Sequence, residues 1–118
     1  MATIPTITAV SYLNTIPFVY GLKHADNLRA DLLLAPPADC ARNYIEGKAD
    51  IALLPVAVVP ELKETNIITE YCIGAVGAVR TVVVVSNTPI EHVKRIWLDP
   101  HSRTSVQLCG YLAQHKTD

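Results

Sequence analysis

The feature that most limits how this chain can fold is a repeated handover from a short apolar run to a helical pattern, punctuated by proline or glycine. Ile4 to Val10 alternates as a strand does, and Pro17 suits the first position of a following helix, where its missing N–H costs nothing. Phe18, Val19 and Leu22 are then apolar at helical spacing, with Gly21 close enough to weaken or end that segment. Leu28 to Ala35 becomes continuously apolar, as a buried strand would, until Pro36-Pro37 stops it. Ala38 to Glu46 places Ala38, Ala41, Tyr44 and Ile45 on one helical face and Asp39, Arg42 and Glu46 on the other. Gly47 follows where a left-handed C-cap belongs.

The second half repeats the theme. Asp50 to Leu54 reads as a short buried strand ended by Pro55, and a weaker helical piece covers Val58 to Glu64. Tyr71 to Val85 is long and apolar, interrupted by Gly74 and Gly77. Its run Val82-Val83-Val84-Val85, β-branched throughout, is the clearest strand prediction in the chain. Thr88-Pro89-Ile90-Glu91 has the form of a capping box with proline at the first helical position, and the short helix it predicts turns Ile90, Val93 and Trp97 inward. A strand end at Ile96-Trp97-Leu98-Asp99 then hands over to a last helix opening near Ser102, with Val106, Cys109, Leu112 and Ala113 apolar. Strands alternating with helices predict an α/β fold: a mainly parallel sheet with right-handed crossovers, flanked by helices.

In such sheets ligands bind outside the carboxyl ends of the strands. Two donor-rich segments fall there. Ser102-Arg103-Thr104-Ser105-Val106 sits at a helix start, where free backbone N–H groups and the positive end of the helix dipole favour a carboxylate or phosphate. Ser11-Tyr12-Leu13-Asn14-Thr15-Ile16-Pro17 has the same layout, a strand followed by polar donors and a helix start. Together they suggest a site for a small molecule with more than one acidic group. Each also has a plainer reading. Asn14 is a favoured helix cap, and Ser102, Thr104 and Ser105 could form an ordinary capping cluster with Gln107 completing a box with Thr104. Arg103 could be a solvated charge, although a cation at a helix start opposes the dipole and so favours a nearby anion. His101 is the one histidine beside the proposed site, and Asp99 is placed to satisfy backbone donors at the turn. Tyr12, Tyr20, Tyr44 and Tyr71 read as packing residues. Gly74 and Gly77 lack the spacing of a dinucleotide loop.

Composition removes several function classes. With 118 residues the chain is of single-domain size, and its 50% hydrophobic but 6% aromatic content suits buried aliphatic strands. Ten basic and eleven acidic residues are interspersed and give a formal charge of −1, so no basic stripe is offered to nucleic acid. No apolar run approaches the roughly 20 residues that span a bilayer. Met1 to Ala9 holds no Lys or Arg and so does not read as a signal peptide. Cys40, Cys72 and Cys109 are odd in number and lack CxxC spacing. They read as reduced, mostly buried thiols of a cytoplasmic protein, with no metal site.

Four segments carry a resemblance. Ala9-Val10-Ser11-Tyr12-Leu13-Asn14-Thr15-Ile16-Pro17, Gly47-Lys48-Ala49-Asp50-Ile51-Ala52-Leu53-Leu54-Pro55-Val56, Tyr71-Cys72-Ile73-Gly74-Ala75 and Ser102-Arg103-Thr104-Ser105-Val106 occur in order. Together they closely resemble the chorismate dehydratase family of the futalosine route to menaquinone. The resemblance implies one lobe of the type 2 periplasmic-binding-protein fold in a cytosolic enzyme that removes water from chorismate, giving 3-[(1-carboxyvinyl)oxy]benzoate without cofactor. It implies a catalytic role for Asn14 and substrate binding by Ser11, by Ser102, Arg103, Thr104 and Ser105, and by Thr81 as the hydroxyl residue of the central strand. It further implies that residues 1–99 form the first lobe and residues 100–118 a crossover and first helix leading to a second lobe outside this chain. The implied partner is a dicarboxylate, chorismate; a lobe alone could also exchange its terminal helix with a neighbour in a homodimer. Two other readings stand beside this one. One is a non-catalytic anion-binding lobe of a solute-binding or sensor protein. The other is the naphthoate synthase that shares the fold and would carry a histidine base.

Overall fold

A computed structural model describes residues 3–115. The fold is α/β, with a three-stranded, wholly parallel sheet of order β2-β1-β3 and flanking helices. β1 (Thr6–Val10) lies in the middle, paired with β2 (Asp31–Ala35) along its whole length and with β3 (Ile51–Ala52) at Ile7 and Thr8. α1 (Ile16–Lys23) joins β1 to β2, and α2 (Pro37–Ile45) joins β2 to β3. A 3-10 turn at Val56–Glu61 follows β3, another covers Ile90–His92, and α3 (Thr104–His115) closes the described chain.

The parallel-sheet prediction and its helical crossovers hold here, with boundaries shifted by a few residues. Proline explains much of that precision. Pro17 falls at the second residue of α1 and Pro37 opens α2, both within the first turn, where no N–H is required. At the other end of α2, Gly47 adopts φ +69°. Its N–H donates to Tyr44 O at 3.0 Å, and the Lys48 N–H reaches back to Asn43 O at 2.8 Å. That pair of bonds is a Schellman cap, which satisfies two carbonyls that the helix cannot.

β1 is buried on both faces at Ile7, Thr8 and Ala9, as the central strand of a covered parallel sheet must be. α2 packs against it through Ala38, Cys40 and Ala41, whose small side chains allow close approach. The outer face of α2 carries an Asp39–Arg42 ion pair at 2.6 Å, as its helical pattern predicts, while Ile45 is exposed rather than inward. Asp50 clasps the start of β1: its N–H donates to Thr6 O at 2.9 Å, and its Oδ2 accepts from Thr6 N at 2.8 Å.

Beyond Glu61 the expectations fail. Val82 to Val85 form no strand; all four valines are exposed, with only a turn bond from Val82 N–H to Val79 O at 3.4 Å. A β-branched run becomes a strand only where a neighbour supplies ladder partners, and among the described residues none pairs with this one. The Thr88 box fails for a local reason. Ser86 Oγ donates to Thr88 O at 2.8 Å and accepts from Thr88 N at 3.1 Å, holding a side-chain turn in place of the cap. Only the 3-10 turn forms, and Trp97 is exposed by 87% rather than turned inward. Ile96 to Asp99 is likewise not a strand. Of the cysteines only Cys40 is buried; Cys72 is exposed and Cys109 half-buried.

Candidate functional site

The sheet order defines where a ligand can sit. The connection from β1 leads to one side and the connection from β2 crosses back to the other, so a crevice opens where the carboxyl ends of β1 and β3 diverge. The loop Ser11–Thr15 leaves β1 at that crevice. Ser11 N–H donates to Ala35 O at 3.0 Å, tying the loop to the end of β2. Thr15 N–H donates to Tyr12 O at 3.0 Å within the Leu13–Thr15 3-10 turn, leaving the side chains of Ser11 and Asn14 exposed. Asn14 makes no capping bond to α1, so the plainer capping reading does not describe it.

Thr15 is the residue that sequence reasoning passed over. It is fully buried, and its Oγ1 lies 3.5 Å from Asn14 Oδ1. A contact that long between adjacent residues is weak as a hydrogen bond. Only its place between two exposed polar residues and Pro17 could have drawn notice.

Beneath the loop, the Cys40 thiol donates to Ala35 O at 3.4 Å, the carbonyl that also receives Ser11 N–H. Burial pushes that thiol above its ordinary value. Thr8 Oγ1 itself is buried without a hydrogen-bond partner.

The second predicted loop has its own internal order. Asp99 does satisfy turn donors, accepting His101 N–H on Oδ1 at 2.9 Å and Ser102 N–H on its backbone oxygen at 3.2 Å. Ser102 Oγ accepts Ser105 N–H at 3.3 Å and so caps α3; the box expected between Thr104 and Gln107 is not what caps this helix. Arg103 is exposed and, among the described residues, makes no ion pair. Thr104 and Ser105 are half-buried, whereas Thr81 lies exposed in the turn before Val82.

α3 packs against the Val56–Glu61 turn, the element that follows the carboxyl end of β3. Among the described residues no hydrogen bond joins residues 102–105 or Thr81 to the Ser11–Thr15 loop. A different segment approaches the first turn of α1: Tyr71 and Cys72 line a hollow of about 280 Å³ with Pro17 and Phe18. A larger hollow of about 410 Å³ lies apart from it, between Tyr44-Ile45 and residues 61–64. Among the described residues no group of three or more His, Cys, Asp or Glu side chains could hold a metal, and no helix is long and apolar enough to cross a membrane.

The structure defines an α/β protein with a donor-rich loop at the crevice of a parallel sheet. The chain matches, over residues 5–118, the family model described as menaquinone biosynthesis, and it belongs to that enzyme family. No curated protein and no solved structure matches it.

Proposed function

We propose that the chain is the first lobe of a chorismate dehydratase, eliminating water from chorismate to give 3-[(1-carboxyvinyl)oxy]benzoate in the cytoplasm. The observation that carries the reading is the exposed pair Ser11 and Asn14 at the carboxyl end of the central strand, in a chain of the menaquinone biosynthesis family. Chorismate is a dicarboxylate, and this loop meets it with neutral donors. Each hydrogen bond to a charged group contributes about 1.5–3 kcal/mol net, so a few suffice for one carboxylate without a lysine. Ser102, Arg103, Thr104 and Ser105 receive the second carboxylate at the start of α3, and Thr81 adds a hydroxyl. The return of α3 to the Val56–Glu61 turn supports that assignment, because it brings the last helix to the element following β3. Residues 1–99 belong to the first lobe, and residues 100–118 lead toward a second lobe that closes the opposite wall.

The elimination removes one proton and expels one hydroxide, and aromatisation drives it. No carboxylate or histidine lies in the Ser11–Thr15 loop to act as base. In the mechanism that the family resemblance implies, the substrate's own enolpyruvyl carboxylate takes the proton, while the Asn14 amide stabilises the charge developing on the ring. The match of the Ser11–Asn14 and Ser102–Ser105 segments to the dehydratase loops favours the dehydratase over the naphthoate synthase reading.

The test is incubation of a full-length form, carrying both lobes, with chorismate, following the new aromatic absorbance of the product. Asn14→Ala is expected to lose turnover by about 10²-fold or more while retaining chorismate binding, as loss of a single oxyanion donor does. Unchanged turnover in that variant would remove Asn14 from the mechanism. Binding of chorismate without product by the unaltered full-length form would instead favour an anion-binding protein.

A further inference from the structure

Thr15 ends the Ser11–Thr15 loop and stands at the N-cap of α1, with φ −89° and ψ −12°. A threonine there ordinarily accepts an N–H from the second or third residue of the helix on its hydroxyl. Pro17 is that second residue and has no N–H to give, and the Thr15 hydroxyl makes no capping bond at all. Water does not replace the cap, because Thr15 is fully buried. Among the described residues the hydroxyl has one partner, Asn14 Oδ1 at 3.5 Å. Valine has the same branched shape and no polar group to satisfy, so a hydroxyl here is unfavourable unless its one contact has a use.

The backbone gives that contact a fixed base. Thr15 N–H donates to Tyr12 O at 3.0 Å and the Ile16 N–H to Leu13 O, so Thr15 is held on both sides by the 3-10 turn. Asn14 is exposed, and among the described residues its side chain has no hydrogen bond except the one from Thr15. We propose that Thr15 is a positioning residue for Asn14: its buried hydroxyl holds the exposed amide toward one orientation before substrate arrives. The inference rests on the chorismate dehydratase reading, in which Asn14 is catalytic; Thr15, shut away from the crevice, acts only through it. Hydrogen bonds around a catalytic group are often long in the free enzyme and tighten in the complex. A tenfold preference for one orientation corresponds to about 1.4 kcal/mol, within the reach of one hydrogen bond.

Steady-state kinetics of a full-length form on chorismate, with urea unfolding alongside, test it. Thr15→Val keeps the methyl and removes the hydroxyl, whereas Thr15→Ser keeps the hydroxyl and removes the methyl. Thr15→Val should lower kcat about tenfold at unchanged KM, and Thr15→Ser should hold kcat within about threefold. Stability should rank the other way, since serine leaves a small void and valine leaves none. In an Asn14→Ala background, Thr15→Val should cause no further loss of turnover. Unchanged kcat in Thr15→Val overturns the proposal. So does turnover that falls with the unfolding midpoint in Thr15→Ser alone, which gives Thr15 a packing role only. A further loss in the Asn14→Ala background overturns it too, because Thr15 would then act by another route. Absence of product from the unaltered form overturns the dehydratase reading itself, and the role of Thr15 with it.

Discussion

Gly47→Ala separates the cost of a backbone conformation from the cost of a clash. Gly47 holds φ +69° at the end of α2, and a Cβ built there meets nothing within 4 Å. The substitution therefore adds no steric overlap with the rest of the molecule. It adds the local strain of a left-handed L-residue, about 1–2 kcal/mol. Restricting the unfolded chain returns about 0.4–1 kcal/mol. The net loss is then about 1 kcal/mol, which at a urea dependence of about 2 kcal/mol per molar lowers the unfolding midpoint by about 0.5 M. Gly77 supplies the control. It holds φ +81°, also with nothing within 4 Å of a Cβ, but it lies in the exposed segment outside the sheet and its helices. Gly77→Ala should leave the midpoint of the sheet domain within about 0.1 M, because local strain there is released without unfolding the core. Urea titrations followed by far-ultraviolet circular dichroism measure both. Equal losses at the two glycines would refute the division between a cooperative sheet domain and a separate segment. No loss at Gly47 would refute the Schellman cap.

Two further predictions concern the buried groups beneath the Ser11 loop. Thr8→Val keeps the shape of a fully buried side chain while removing a hydroxyl that has no partner, so it should raise stability by about 1 kcal/mol, read as a higher urea midpoint. A midpoint lowered by that amount would mean that the hydroxyl is satisfied after all. The Cys40 thiol, pushed up by burial, binds its proton more tightly folded than unfolded. Its contribution to stability is thus complete below the ordinary thiol value of 9.0 and is lost as pH rises from there through the folded value. The unaltered chain should lose stability between pH 8 and pH 10 by more than Cys40→Ala does, and parallel pH profiles would contradict the assignment.

What the sequence reveals depends on how local the cause is. Pro17, Pro37 and Gly47 act on their own backbone, so the ends of α1 and α2 could be read from single residues. The alternation of Ile7, Thr8 and Ala9 with helical stretches made the parallel sheet legible, because every crossover places its helix by the same geometry. Val82 to Val85 was misleading for the opposite reason. β-branching states a preference for a pleated surface, but the decision belongs to a neighbouring strand that sequence does not display. Similarly, Thr88-Pro89-Ile90-Glu91 had the right letters for a cap, yet Ser86 two residues earlier captured both the N–H and the carbonyl of Thr88. At the site, Ser11 and Asn14 were visible as donors after a strand, whereas the buried Thr15 behind Asn14 and the approach of Tyr71 and Cys72 to Pro17 are products of folding.

Placing β1 between β2 and β3 has a consequence for synthesis. β1 is made before both of its neighbours, and its second edge waits for Asp50 and Ile51 to arrive. At about 5–20 residues per second, that edge stays open for several seconds before it can be closed. Ile7 and Ala9 must remain unclaimed by other chains during that interval, so crowding on a polysome threatens this protein before any finished molecule exists.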